Sequence, residues 1–299
     1  MRVSIPATSA NLGPGFDSLG LALDLRDDLV AMVTDDPGVL VEVAGEGCDE
    51  VPLDESHLVV QAMAAGFAWL GVRPTGFVLR CTNVIPHGRG LGSSAAAIVG
   101  GITLARAIVD DGAERMTDED VLQLALTFES HPDNLAAAVY GGFTIAWLND
   151  DGSATAVRRD VHPDVKVRLL VPGSSVLTTT ARAALPVTVP FADASFNIAR
   201  TALLVHALTT DPTQLLAATA DRLHQQARAR VYPESVNLVD RLRSAGVATV
   251  VSGAGPSVLA FTTSDSSSVI ENLTDADWQA LSLEISNEGA KEIPLPVVH

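Results

Sequence analysis

Pro86-His87-Gly88-Arg89-Gly90-Leu91-Gly92-Ser93-Ser94-Ala95-Ala96 is a stretch of glycines and hydroxyls that runs directly into a helix-forming segment. Before it, Gly76 to Ile85 is rich in Val, Leu, Phe and Thr and predicts a strand; after it, Ala95 to Val109 is an Ala/Ile/Leu/Val run long enough for several helical turns. A loop in that position offers the unpaired N–H groups of the first helical turn and the positive end of its dipole, and both favour an anion. Glycines at 88, 90 and 92 let backbone approach phosphate oxygens without side-chain clash, while Ser93 and Ser94 can cap the helix or bind a metal–phosphate group. The stretch reads as a phosphate cradle.

Neither of two better-known phosphate loops fits it. A P-loop carries a lysine where Ser93 stands, and the dinucleotide fingerprint G-x-G-x-x-G is replaced here by G-x-G-x-G. Two further clusters accompany it. Ser252-Gly253-Ala254-Gly255-Pro256-Ser257 lies between Val247–Val251 and Val258–Phe261, which reads as strand, sharp loop, strand. Ala7-Thr8-Ser9-Ala10-Asn11-Leu12-Gly13-Pro14-Gly15-Phe16-Asp17 sets small, polar and acidic residues between two apolar runs. Any one of these is a turn more often than a site. Three of them, spread over the chain, predict loops that converge on one ligand.

The chain has 299 residues, 47% of them hydrophobic, enough for a large core in one or two domains. Leu58 to Val72, the most apolar early stretch, is interrupted by Gln61 and patterned as an amphipathic core helix, so no membrane span or membrane partner is expected. Met1 to Pro6 enters a motif at once and leaves no room for a cleaved signal, which predicts a cytoplasmic protein. Cys48 and Cys81 form no C-x-x-C pair and predict free thiols, not a disulfide or zinc site. With a net charge of −17 and no basic stripe beyond the isolated pair Arg158-Arg159, a nucleic-acid partner is not expected.

Along the chain, a glycine-punctuated α/β half ends near the strand-like Phe143 to Leu148 and the turn Asn149-Asp150-Asp151-Gly152. A strand at Val165 to Val171 follows, then a helix-rich stretch from Thr178 to Ala245 broken at Pro186, Pro190, Pro212 and Pro233. Strands resume at Val247, with a polar helix near Ser266 to Leu273 and a last strand near Leu281 to Ile285. That ending predicts an α+β sandwich.

The three glycine clusters, in their order and spacing, resemble those of the GHMP small-molecule kinases over nearly the whole chain. Pro86 to Ala96 is similar to the family's P-x-x-x-G-L-G-S-S-A-A loop, and Ser252 to Ser257 to its S-G-x-G-P-[ST] loop. Within the family, P-A-T-S-A-N-L-G-P-G-F-D at Pro6 to Asp17 resembles the homoserine kinase form. So do His131-Pro132-Asp133-Asn134 followed by Gly141-Gly142-Phe143, and Asp221-Arg222-Leu223-His224-Gln225. The resemblance implies a two-domain α+β fold. A mixed α/β ATP-binding domain (1–155) would precede a ferredoxin-like α/β sandwich (156–299), with ATP and substrate between them and a homodimer as the assembly. It implies ATP and Mg2+ as cofactors and transfer of a phosphoryl group to the hydroxyl of L-homoserine, the step that makes O-phospho-L-homoserine in threonine biosynthesis.

The resemblance also assigns roles to residues of this chain. Pro86, His87, Gly88, Arg89, Gly90, Leu91, Gly92, Ser93, Ser94, Ala95 and Ala96 would bind ATP, with Ser252, Gly253, Gly255 and Ser257 as the second glycine loop. Glu129, closing a helix predicted over Asp118 to Glu129 with Thr117 as its cap, would share magnesium with Ser94. The acceptor is a small zwitterion. Asn11 and Asp17 would take its ammonium, Arg182 and Arg228 its carboxylate, for which a planar guanidinium fork is suited, and His131 would lie beside it. Gln226-Ala227 stands where relatives commonly carry Pro-Tyr, so Arg230 is the alternative second arginine. Asn134 occupies the place where an aspartate base would be expected in mevalonate kinases. Catalysis would then rest on positioning and charge neutralisation, with Asn134 and Arg182 carrying it. Two other readings are a kinase of another small alcohol, which would leave Asp17 unexplained, and a ligand-sensing relative without turnover.

Overall fold

The computed structural model describes residues 1–263 and 267–293. Six strands make most of a first sheet: β1 (Arg2–Ala10), β2 (Leu19–Thr34), β3 (Gly38–Gly45), β4 (Gly76–Asn83), β5 (Phe143–Leu148) and β6 (Ala154–Arg159). The long β2 is its spine, pairing antiparallel with β1 along much of its length, with β4 over Asp28–Thr34 and with β5 over Leu19–Leu21. β4 follows the two-residue period of a half-buried strand: Phe77, Leu79 and Cys81 are buried while Arg80 and Thr82 are exposed. Helices α1 (Leu58–Trp69), α2 (Ser93–Ile108), α3 (Gly112–Arg115), α4 (Asp118–Ala125) and α5 (Pro132–Tyr140) accompany this sheet. α2 and α5 lie against β1 and β2, with α1 and α4 packed on α2.

α4 starts as expected, with a reciprocal box in which Asp120 N donates to Thr117 Oγ1 (3.2 Å) and Thr117 N to Asp120 Oδ2 (2.8 Å). It ends at Ala125, four residues before the expected Glu129. Thr127 Oγ1 takes the Leu124 carbonyl (2.7 Å) and the backbone tightens into i→i+3 bonds from Thr127 and Phe128, so Glu129 stands in a loop.

The second sheet comprises β7 (Lys166–Pro172), β8 (Ala248–Val251), β9 (Val258–Thr262) and β10 (Trp278–Leu283), in the order β10-β7-β9-β8 and antiparallel throughout. Helices α6 (Thr178–Ala183), α7 (Phe191–Thr209), α8 (Leu215–Ala218) and α9 (Pro233–Ser244) separate β7 from β8, and α10 (Ser267–Leu273) separates β9 from β10. Strand, helices, two strands, helix, strand, with the fourth strand beside the first, is the expected ferredoxin-like sandwich. Pro186 follows the end of α6, as a break should, whereas the other three prolines act as starts: Pro190 is the N-cap of α7, Pro233 the first residue of α9, and Pro212 opens a 3₁₀ turn. Ser266, with which the last helix was expected to begin, lies outside the described residues.

Three features depart from the sequence expectation. Position 155 falls inside β6, which stays paired with β5. Ile285 forms only a single bridge to Leu23 in place of continuing β10. A strand too short to predict, β11 (Lys291–Ile293), returns to the first sheet beside β1. One hydrophobic core runs through both sheets, with Leu12, Phe143, Leu204, Leu208, Val250 and Leu259 in a single cluster. No helix among the described residues is long and apolar enough to cross a membrane. Phe143→Ala, at a fully buried position, is expected to lower the unfolding free energy by about 3–5 kcal/mol in urea melts. Val187→Ala, at a fully exposed one, changes it by about 0.5 kcal/mol or less.

Candidate active site

The three glycine clusters meet, as expected, and they do so through backbone groups. Ser252 Oγ donates to Gly90 O (2.7 Å) and lies 2.8 Å from Ser9 Oγ. Gly253 N donates to Ala10 O (3.1 Å), Ser257 N to Arg89 O (3.3 Å) and Thr8 N to Leu91 O (3.0 Å). Gly90 has no alternative residue, because a Cβ there would collide with the Ser252 carbonyl. Segments from the first and last thirds of the chain are thus clasped around one point.

At that point α2 begins without a side-chain cap. Gly92 is its N-cap in the left-handed region (φ 67°, ψ 26°), and Ser93 and Ser94 are its first helical residues, not caps. The amide groups of this first turn have no intrahelical partner and open into a polar cleft of about 90 Å³ lined by Gly88, Gly90, Leu91, Gly92, Ser93, Ser94 and Ala95. Across it stand Asn11, Asp17, Glu129, His131, Asn134, Arg182, Arg228 and Gly253, so most residues singled out by sequence share one cavity.

Their geometry refines the expected roles. Arg182 reaches Asp17 in a two-pronged ion pair, Nη2 to Oδ1 at 2.6 Å and Nη1 to Oδ2 at 3.2 Å. Both guanidiniums lie over Phe16, at 5.3 Å for Arg182 and 5.7 Å for Arg228. Asn11 spends both ends of its amide on the protein: Nδ2 donates to Gly253 O (2.9 Å) and Oδ1 accepts from Asp17 N (2.9 Å). It shapes the Asp17 turn, and only the second lone pair of Oδ1 is left for a ligand's ammonium.

Arg228 is 2% exposed and Arg230 is exposed outside the cleft, reaching only toward Ala183 O at 3.5 Å. Arg228 Nε donates to Ala181 O (3.2 Å) and Nη1 to His224 Nδ1 (3.0 Å). His224 Nε2 sits 2.7 Å from Gly13 O; a carbonyl only accepts, so the proton is on Nε2 and the ring is neutral. Burial lowers its pKa in agreement. The turn holding His224 is built by Asp221, whose carboxylate accepts from the backbone of Leu223 (3.0 Å), His224 (3.1 Å) and Gln225 (2.9 Å).

Glu129 is half-buried, with its Oε2 out of water's reach and without a hydrogen-bond partner; burial raises its pKa, against the pull of Arg182. His131 caps α5 by position only, and burial together with Arg182 lowers its pKa. Asn134 Oδ1 accepts from Thr8 Oγ1 (2.8 Å). Asp133, 3% exposed and not singled out by sequence, also lines the cleft; burial pushes its pKa up to about 7. The H-P-D-N turn contained that signal, since an acid directly after proline in a first helical turn is drawn to the helix end.

Some expected ligand residues lie elsewhere. Pro86 is buried below the loop, and Ser252, Gly255 and Ser257 support the clasp from behind. Arg89 turns its guanidinium away onto backbone carbonyls. His87 and Ala96 line a second cavity of about 300 Å³, together with Ile5, Leu29, Val51, His57 and Asn83. This mostly apolar cavity shares Ser93 and Ser94 with the cleft, so the two meet at the N-terminus of α2. No sequence motif marked it, because its walls come from four separate segments.

Residues 57–142 match the GHMP kinases N terminal domain and residues 204–278 the GHMP kinases C terminal domain. The chain is 50% identical over 99% of its length to a homoserine kinase of Streptomyces coelicolor, covering 95% of that protein. The crystal structure of homoserine kinase from Cytophaga hutchinsonii superimposes with a TM-score of 0.86 at 26% identity, covering 97% of this chain and 96% of that one. The L. major mevalonate kinase shares the fold, at TM-score 0.69 and 15% identity over 95% of each chain. The chain belongs to the GHMP kinases, within their homoserine kinase group.

Proposed function

We infer that the protein transfers the γ-phosphoryl group of ATP to the side-chain hydroxyl of L-homoserine, giving O-phospho-L-homoserine and ADP. The observation that carries this is the pairing of Asp17 with Arg182 in the same cleft as the open N-terminus of α2. A carboxylate and a guanidinium side by side suit the two charges of an amino acid, and the helix end beside them suits phosphate. Arg228 supplies a second cation on the carboxylate side. The apolar cavity suits the base and ribose of the nucleotide, whose phosphates would then run past Ser93 and Ser94 over Gly88 to Gly92.

The donor set also fits magnesium. Glu129 Oε2, buried and unpartnered, and the Ser94 hydroxyl are hard oxygen ligands, and a cation that keeps several waters needs only one or two of them besides phosphate. When bound, the ion would offset charge on the transferring phosphates. Asn134 and Arg182 would orient the acceptor and offset transition-state charge, with no strong base required because the transition state is loose. On the same reading, the unit of β1–β6 serves the nucleotide and the unit of β7–β10 closes over the acceptor.

Three outcomes test this. With Mg-ATP, the purified protein is expected to release ADP with L-homoserine and not with mevalonate, galactose or no acceptor; turnover with mevalonate alone would remove the roles of Asp17 and the arginines. Asp17→Asn and Arg182→Ala should each raise the homoserine KM by about 30-fold or more, while the ATP KM moves by about threefold or less, since each leaves a partly desolvated charge unpaired. The third concerns pH. Asp133 keeps its proton to about pH 7 in the fold but ionises near 3.8 when unfolded, so the unfolded chain binds fewer protons between those values. Its contribution to stability is full below the lower value and is lost as pH rises to the upper one. Asp133→Asn should flatten that dependence by up to about 1.4 kcal/mol per pH unit relative to the parent, read from urea midpoints across the window.

A further inference from the structure

Arg89 stands in the phosphate loop, yet its side chain leaves the cleft. Nη1 donates to His87 O at 3.0 Å, which fixes the fork against its own loop. Nε donates to Pro172 O (3.1 Å) and Nη2 to Gly173 O (2.9 Å), across to the other unit. Pro172 ends β7, and Gly173 opens the connection into α6, the helix that carries Arg182. A backbone bond from Val176 N to Gly88 O (2.8 Å) joins the same two segments three residues further on. No ion pair among the described residues involves Arg89. Its charge is met by carbonyl dipoles alone, and a rigid planar fork is the side chain able to bridge carbonyls on two segments at once.

We propose that Arg89 is a positioning residue that couples occupancy of the phosphate loop to the seating of α6 and hence of Arg182. Phosphate bound on the loop amides restrains residues 86–94; the Arg89 fork passes that restraint to 172–176; α6 is held with Arg182 facing the acceptor. Lysine, with one ammonium on a flexible stem, cannot span both segments in this way. The link to the acceptor rests on the whole function inferred above, the link from nucleotide to α6 only on its placing of phosphate at the loop.

Hydrogen exchange with a non-hydrolysable ATP analogue separates the two. In the parent protein the analogue is expected to slow exchange over 88–96 and also over 173–183. In Arg89→Ala it still slows 88–96 but no longer 173–183, and Arg89→Lys behaves like Arg89→Ala. Protection of 173–183 that survives Arg89→Ala, that returns with Arg89→Lys, or that is missing in the parent would overturn the proposal. Absence of protection over 88–96 in the parent would remove the nucleotide reading with it. If Arg89→Ala does not fold, Arg89→Gln, which keeps one donor group, gives the same comparison. In steady state the homoserine KM of the variant should rise about fivefold or more. Loss of α6 protection without that rise would count against the acceptor assignment and leave the tie standing.

Discussion

A glycine with no room for a side chain, pressed against the carbonyl of Ser252, is the constraint on which the site depends. Gly90 and Ser252 lie 162 positions apart, and their contact is made by a hydroxyl and a carbonyl, backed by Ser9, itself fully buried. Leaving a buried polar group of this kind without a partner costs about 1–3 kcal/mol, so the pairings of Ser252 and Gly90 resist displacement. The β8–β9 loop can therefore sit against the phosphate loop in essentially one way. The ferredoxin-like sandwich, whose strand order brings β7 and β8 to either side of β9, exists in this respect to present that loop and the α6 connection to α2.

The clasp also concentrates cations in a chain of net charge −17. Arg182 and Arg228 approach one another on the ring of Phe16, tolerated because Arg228 is set among carbonyls and a neutral His224. Arg182 is met instead by Asp17, with the two side chains 36% and 32% exposed. An ion pair so open to water holds little net energy. It keeps both groups oriented, yet separates at small cost when a ligand brings charges of its own. A deeply buried pair would resist that exchange, and two unpaired charges would have no fixed direction.

What could be read from sequence was local chemistry. The glycine loop that runs into α2 and the Thr117 start of α4 each follow from a few neighbouring residues, and each is found where it was expected. What could not be read depends on long-range partners. The amide of Asn11 is consumed by Gly253, and Arg89 by Pro172 and Gly173. The apolar cavity joins Ile5, Val51, His57 and Asn83, whose sequence surroundings say nothing of a ligand. Glu129 was expected to close the helix that begins after Thr117; the backbone tightens from Thr127 onward instead, and Glu129 Oε2 is left without a hydrogen-bond partner.

The same long-range geometry explains an amide at position 134. Asp17, Glu129 and Asp133 already bring three carboxyl groups to a cleft that has to accept phosphates, and Asp133 is kept protonated to about pH 7 by its burial. A fourth carboxylate at the start of α5 would add repulsion where negative charge passes from donor to acceptor. Asn134 instead uses its oxygen to accept the Thr8 hydroxyl and retains an uncharged N–H₂ donor. For the proposed transfer, governed by orientation and charge, a neutral donor held by Thr8 would contribute more than a base whose own charge would have to be offset. Gly92 answers to the same neighbour: a Cβ there would run into Thr8 Oγ1, and its φ of 67° is one that side-chain-bearing residues rarely adopt, so α2 begins with no side-chain cap on its first amides.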